Sequence, residues 1–182
     1  DQWQAIVSDI ETIQEEGMDA VRTVETAYKL VKKNDEDVEV PDGMKGRIIP
    51  FELVQQMKFQ ADLDAIAALQ SRVEAIDGEV EEVRDSFTEE ELEAYCDSEK
   101  ENAPDKKKIT ADAKPKADVE AETKAKLKQM VALWDEQTKT NKQIKADRLA
   151  LEEKTIQAIE HLTDEEIAGF LHRKWIVPVC QG

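Results

Sequence analysis

The chain has 182 residues, with 42 Asp and Glu against 25 Lys and Arg and a formal net charge of −17. Charged residues are 37% of it and aromatics only 5%, which suits long solvated helices better than a large sheet or a big globular core. The acidity argues against nucleic-acid binding by the chain as a whole, because phosphates need a basic surface. Two cysteines, Cys96 and Cys180, exclude a disulfide framework and an all-cysteine zinc site. No apolar run approaches the roughly 18 residues of a membrane span, and no signal peptide is present. The chain starts at Asp1 and stops at Gly182 just after an apolar run, so it reads as a piece of something longer.

The first 33 residues read as helix. Trp3, Ile6, Val7, Ile10 and Ile13 form one stripe, Gly17 interrupts it, and Val21, Val24, Tyr28 and Val31 form a second. Asn34-Asp35-Glu36-Asp37 reads as a helix end and loop. Val38-Glu39-Val40 and Arg47-Ile48-Ile49 flank a Pro41-Asp42-Gly43 turn, the pattern of a short β-hairpin. Residues 1–50 are thus expected to form a small base.

From 51 to 97 no proline occurs, and Phe59, Ile66, Val73, Val80 and Phe87 recur every seven residues. Leu69, Ile76 and Val83 fill the position three further on, so the stretch reads as one helix with a heptad seam, broken only at Asp62. At 1.5 Å per residue it would run about 70 Å and must project. Residues 98–112 read as a flexible tip loop, polar and with Pro104 inside and Pro115 just beyond. A second heptad run, 113–160, sets Leu127, Trp134, Asn141, Arg148, Thr155 and Leu162 at one position. Met130, Gln137, Ile144, Leu151 and Ala158 hold the other.

Two such helices joined by one loop fold most simply into an antiparallel hairpin. Charge agrees: residues 79–99 carry 10 acids and one Arg, whereas 106–128 carry 8 lysines against 4 acids. Phe87 is expected near Leu127. In 161–182, Thr163 and Glu166 have the spacing of a capping box, with Leu162 and Ile167 beside it. That helix is expected to end near Arg173-Lys174, and Trp175-Ile176-Val177-Pro178-Val179 to leave as an extended apolar tail. The fold class expected is therefore mainly α: a long antiparallel two-helix coiled-coil hairpin on a small helical base, with a short β-hairpin.

No constellation for chemistry emerges. His161 and His172 are eleven residues apart with no Cys or His at ligand spacing, and read as surface or boundary histidines. Cys96 sits among acids that blunt a thiol, and Cys180 reads as packing. Glu81-Glu82 and Glu89-Glu90-Glu91 point in different directions from a helix and read as a solvated face. Neither GxGxxG nor GxxxxGK[ST] occurs, nor Asn-Pro-Pro, nor a Ser-centred elbow. The lysines at 106–108, 114, 116, 124, 126 and 128 read as neutralising the facing acidic helix rather than gripping phosphate, since no aromatic is interleaved to stack bases. No catalytic, cofactor or metal residue is expected in this chain.

Two stretches carry a resemblance. Gly46-Arg47-Ile48-Ile49-Pro50-Phe51-Glu52-Leu53-Val54-Gln55 resembles the VIPFELVQ-type segment of the modification (M) subunits of type I restriction–modification DNA methyltransferases. Leu162-Thr163-Asp164-Glu165-Glu166-Ile167, followed by Lys174-Trp175-Ile176, resembles the LTxEEI…KWI pattern near the C-terminus of the same subunits. The resemblance implies a parent enzyme that uses S-adenosylmethionine to methylate the N6 amine of adenine. Its partners would be a specificity (S) subunit and, for restriction, an endonuclease/translocase (R) subunit. It would be cytoplasmic and would meet DNA through the complex. The family's donor loop and Asn-Pro-Pro-Phe/Tyr motif lie N-terminal to these segments and do not occur here. The chain thus resembles the non-catalytic C-terminal helical part, which docks on the specificity subunit's helices and is followed by a further helix. A stand-alone coiled-coil scaffold or chaperone-like partner-binding protein is the alternative.

The half-polar middle of the second seam either marks where a partner helix would complete it or merely loosens a solvated coiled coil. Trp134, Gln137, Asn141, Ile144, Arg148 and Leu151 are the candidate partner-binding residues. On this reading Leu151→Glu weakens partner binding more than it unfolds the base.

Overall fold

A computed structural model describes residues 2–33, 36–97 and 102–181. The fold is mainly α. It comprises α1 (Gln2–Glu16), a 3-10 turn (Met18–Ala20), β1 (Val24–Lys33), β2 (Glu36–Gly46), α2 (Phe51–Lys58), α3 (Gln60–Asp85), α4 (Glu89–Tyr95), β3 (Cys96–Asp97), β4 (Ala103–Pro104), α5 (Lys106–Asp112), α6 (Ala121–Glu160), α7 (Asp164–Leu171), a π-helical turn (His172–Ile176) and α8 (Val177–Gln181). The chain divides into two compact units, one of residues 1–64 and 147–182, the other of residues 65–146.

The first unit holds a core of Val21, Ile48, Ile49, Val54, Ile159, Leu162, Ile167 and Phe170, each at most 3% exposed. α1 lies against it through Ile13, and Ile6 on the same helix is also buried. Gly17 adopts φ 79 and lets the chain turn out of α1, where a side chain would be strained. The helical stripe expected across Val21, Val24, Tyr28 and Val31 is instead mostly strand. β-branched and aromatic residues suit a pleated strand, and β1 finds a partner in β2 that a helix would forgo.

The hairpin is therefore displaced from its expected place. β1 pairs with β2 from Val24↔Gly46 to Lys33↔Glu36, and Arg47-Ile48-Ile49 lie outside it in the turn that enters α2. Glu36 and Asp37, expected in a loop, are strand; Asn34 and Asp35 fall outside the described residues. Pro41-Asp42-Gly43 does not make the hairpin turn. It lies inside β2, where the register shifts opposite Thr26–Tyr28 and Gly43 takes φ 85.

The expected helix over 51–97 is broken twice. Phe59 leaves helical geometry at φ −129, ψ 34, separating α2 from α3. After α3, Thr88 begins α4 afresh as a capping box with Glu91. The tip is not one flexible loop. β3 and β4 pair antiparallel, and Asp105 caps α5 by accepting from the amides of Lys107 and Lys108 at 3.0 and 3.1 Å. Residues 98–101 fall outside the described residues. The second long helix starts at Ala121 rather than 113, beyond Pro115.

In the second unit α3 and α6 run antiparallel. Arg72 reaches Glu136, Gln137 reaches Asp77, and Lys126 reaches the Ser86 carbonyl. Phe87 and Leu127 share one core with Ile76, Val83, Tyr95, Ile109, Met130 and Leu133. Within the first unit the ends of the same helices meet through Asp62–Lys154 at 2.5 Å. The capping box of α7 forms as expected: the Thr163 amide donates to Glu166 at 2.9 Å and the Glu166 amide to Thr163 Oγ1 at 3.2 Å. Beyond it the chain stays helical, so the apolar tail is not extended. Lys174 and Trp175, on the π-helical turn, both donate to Asp9 Oδ2, at 2.5 and 2.9 Å.

Two glycines give opposite expectations. A Cβ at Gly46 would overlap the backbone carbonyl of Ile49 and press on Ile159 Cδ1 at 3.2 Å, whereas Gly78 stands in open space on α3. Gly46→Ala should destabilise the first unit by about 2–4 kcal/mol. Gly78→Ala should stabilise the chain by up to about 1 kcal/mol. Urea unfolding followed by circular dichroism measures both.

Candidate partner-binding groove

The second unit carries an open groove of about 540 Å³ where α3, α6 and the β4–α5 junction meet. α3 supplies Asp77, Val80, Glu81 and Arg84; α6 supplies Trp134 and Gln137; Ala103, Pro104 and Lys106 close the side. The residues come together by helical period. Asp77, Val80, Glu81 and Arg84 stand three or four apart and line one side of α3, as do Trp134 and Gln137 on α6.

Trp134 is half-buried and packs against the core of the second unit. Lys106 Nζ lies 5.1 Å from the ring centroid, a cation–π contact that masks the indole face. Gln137 Nε2 donates to Asp77 Oδ1 at 2.5 Å across the helix pair. Arg84 donates to Asp85 at 2.9 Å. An aromatic face, Val80 and Pro104 beside charged groups form a mixed apolar and polar lining of the kind that suits a protein side chain or a helix edge.

The helix pair below the groove is fixed electrostatically. Arg72 grips Glu136 with two nitrogens, at 2.7 and 3.0 Å, and also bonds Glu79. The bond from Arg72 holds the Glu136 carboxyl below its ordinary range. At the far end Glu91 is only 8% exposed. Burial pushes its carboxyl up. Hydrogen bonds from Thr123, the Thr88 amide and Lys126 outweigh that and hold it below the ordinary value.

The expected pairing of acidic and basic blocks is carried here by Glu91 and Lys126 at 2.9 Å. Other lysines of the cluster serve the fold differently. Lys124 binds the carbonyls of Pro115 and Ala117, and Lys108 lies 5.5 Å over the Tyr95 ring. Burial raises the Cys96 thiol above its ordinary pKa, with Arg84 opposing; desolvation, not acidic neighbours, is the cause.

Of the six residues expected to bind a partner, Trp134 and Gln137 line the groove. Asn141 and Arg148 are exposed on α6. Ile144 and Leu151 are 9% and 4% exposed, Ile144 in the second unit and Leu151 in the first, so the chain itself covers them. This revises the expectation for Leu151→Glu, which now places a charge in the first unit's interior and should unfold it. Val80, Arg84, Pro104 and Lys106 were not expected in a site. Val80 was readable only as a seam position, and Lys106 lay in what read as loop.

Among the described residues no group of three or more His, Cys, Asp or Glu could hold a metal ion, and no helix is long and apolar enough to cross a membrane. No protein-family model matches this chain, and no curated protein or solved structure is similar enough to it to count as a match.

Glu91 gives a pH expectation. Its folded pKa is depressed, so its contribution to stability is fully present above the ordinary carboxylate pKa. That contribution is lost as pH falls through the lower folded value. Thermal melts at pH 7 and pH 3 should show a larger fall for the wild type than for Glu91→Gln, which keeps the cap but cannot ionise.

Proposed function

We propose that this chain is a non-catalytic assembly module: the helical part of a type I modification methyltransferase subunit, cytoplasmic, docking on the specificity subunit. The methyl donor S-adenosylmethionine, adenine methylation and the contact with DNA would belong to the rest of the complex, as would the restriction subunit. One observation carries the reading. The two segments that resemble the family, over a hundred residues apart in sequence, close on one core. Ile48, Ile49, Phe51 and Val54 of the first pack with Leu162 and Ile167 of the second. Lys174 donates to the Ile48 carbonyl at 2.6 Å, and Lys58 to Glu166 at 2.5 Å. Their packing on one core supports reading the two likenesses together.

The groove around Trp134 supports the docking role. A half-buried aromatic framed by apolar and charged groups is the kind of anchor on which interfaces concentrate their energy. The specificity subunit encoded beside this chain should co-purify with it at moderate salt. Trp134→Ala should weaken that complex by tenfold or more while the far-ultraviolet spectrum stays helical. Leu151→Glu should instead lose helix content and binding together. A folded chain that captures no specificity subunit would defeat the family reading and bring forward the stand-alone coiled-coil scaffold.

A further inference from the structure

The β1–β2 ribbon leaves apolar side chains exposed on both faces. Tyr28 and Leu30 are 61% and 67% exposed, and Val31 and Val38 are each 40% exposed. The register sorts them. Lys29 opposite Val40, Val31 opposite Val38 and Lys33 opposite Glu36 share one face; Tyr28 opposite Pro41, Leu30 opposite Glu39 and Lys32 opposite Asp37 share the other. A two-stranded ribbon is marginal by itself in water. Its edges are poor sites for a further strand, because β1 carries Lys29, Lys32 and Lys33 while β2 contains Pro41 and an irregular register. A face is what remains for a partner.

Charge selects that partner. The outer half of β1 is basic, with Lys29, Lys32 and Lys33, and the outer half of β2 is acidic, with Glu36, Asp37 and Glu39; Lys29 is already paired within the ribbon to Asp42 at 2.6 Å, so Lys32 and Lys33 are the lysines left to a partner. We propose that the Val31–Val38 face binds a second copy of this chain, ribbon on ribbon, about a two-fold axis running along the ribbon. That axis lays β1 of one copy over β2 of the other. Val31 meets the partner's Val38, and Lys33 meets the partner's Glu36, each contact made twice by symmetry. A two-fold axis across the ribbon would instead oppose lysine to lysine. The other face fits less well, since the same operation sets Leu30 on the partner's Glu39. A face this small is well under the ~800 Å² per partner of a standard interface, so the dimer is weak and salt-sensitive.

Sedimentation of the full chain from micromolar to millimolar concentration, at low salt, tests this independently of any specificity subunit. The wild type should pass from monomer to dimer. Lys33→Glu and Glu36→Lys should each raise the dimer dissociation constant about tenfold. Their equimolar mixture should restore association, because opposite charges then face each other again; a ribbon unfolded by either change would not recover in this way. A wild type that stays monomeric throughout would overturn the proposal. So would a dimer indifferent to both changes, or a mixture no better than its components.

Discussion

Apolar surface is scarce in this chain, and the long helices hide much of what there is along narrow seams. With charged residues at 37% and aromatics at 5%, a helix can offer one stripe for burial and little else. In the second unit Ile76 and Val83 of α3 meet Leu127, Met130 and Leu133 of α6, and Phe87, Tyr95 and Ile109 close the end. In the first, Ile159, Leu162, Ile167 and Phe170 gather round Ile48, Ile49 and Val54. Neither core is wide. Each burial contributes on the order of 1.5–3 kcal/mol per large side chain, so the polar groups that border the seams decide alignment rather than supply stability.

Those polar groups are all satisfied. Among the described residues no buried side-chain nitrogen or oxygen lacks a hydrogen-bond partner. Thr155, fully buried, donates to the Leu151 carbonyl at 2.6 Å and accepts from Gln55 at 3.2 Å. Glu91 is held by Thr88, Thr123 and Lys126. A buried carboxylate or hydroxyl left unpaired would cost about 1–3 kcal/mol or more, so these contacts penalise a slipped register strongly. Arg72 does the same on the outside, where its two parallel bonds to Glu136 admit one alignment of the helices.

Around these seams the chain keeps two kinds of surface suited to contact. One is the Trp134 groove, where Lys106 shields an aromatic face in the free protein. The other is the β-ribbon, whose strands divide opposite charges between them. The first unit's remaining polar lock, Lys174 between Asp9 and the Ile48 carbonyl, ties α1, the turn after β2 and the π-helical turn together. It thereby fixes the segments on which the family resemblance rests.

What the sequence determined by itself is what local terms control. The seven-residue spacing from Phe59 to Phe87 and from Leu127 onward identified the two long helices. Opposite charge blocks gave their antiparallel sense. Thr163 and Glu166, three apart, gave a cap whose donors and acceptors lie within one turn. Only the tertiary structure decided the rest. Val24 to Val31 satisfies both a helical stripe and a strand, and it is β2, across the turn, that makes it strand. The break at Phe59 interrupts no hydrophobic period and nothing local announced it; the one before Thr88 had a local signal in the Thr88–Glu91 capping-box spacing, which the uninterrupted heptad period overrode. The groove joins α3 to α6 and to the β4–α5 junction, and half of its lining had no readable role until those elements met. Leu151 and Ile144 looked available to a partner because a heptad marks an apolar position without saying which neighbour covers it. Burial is a property of the whole packing, whereas caps and periods are properties of a few consecutive residues.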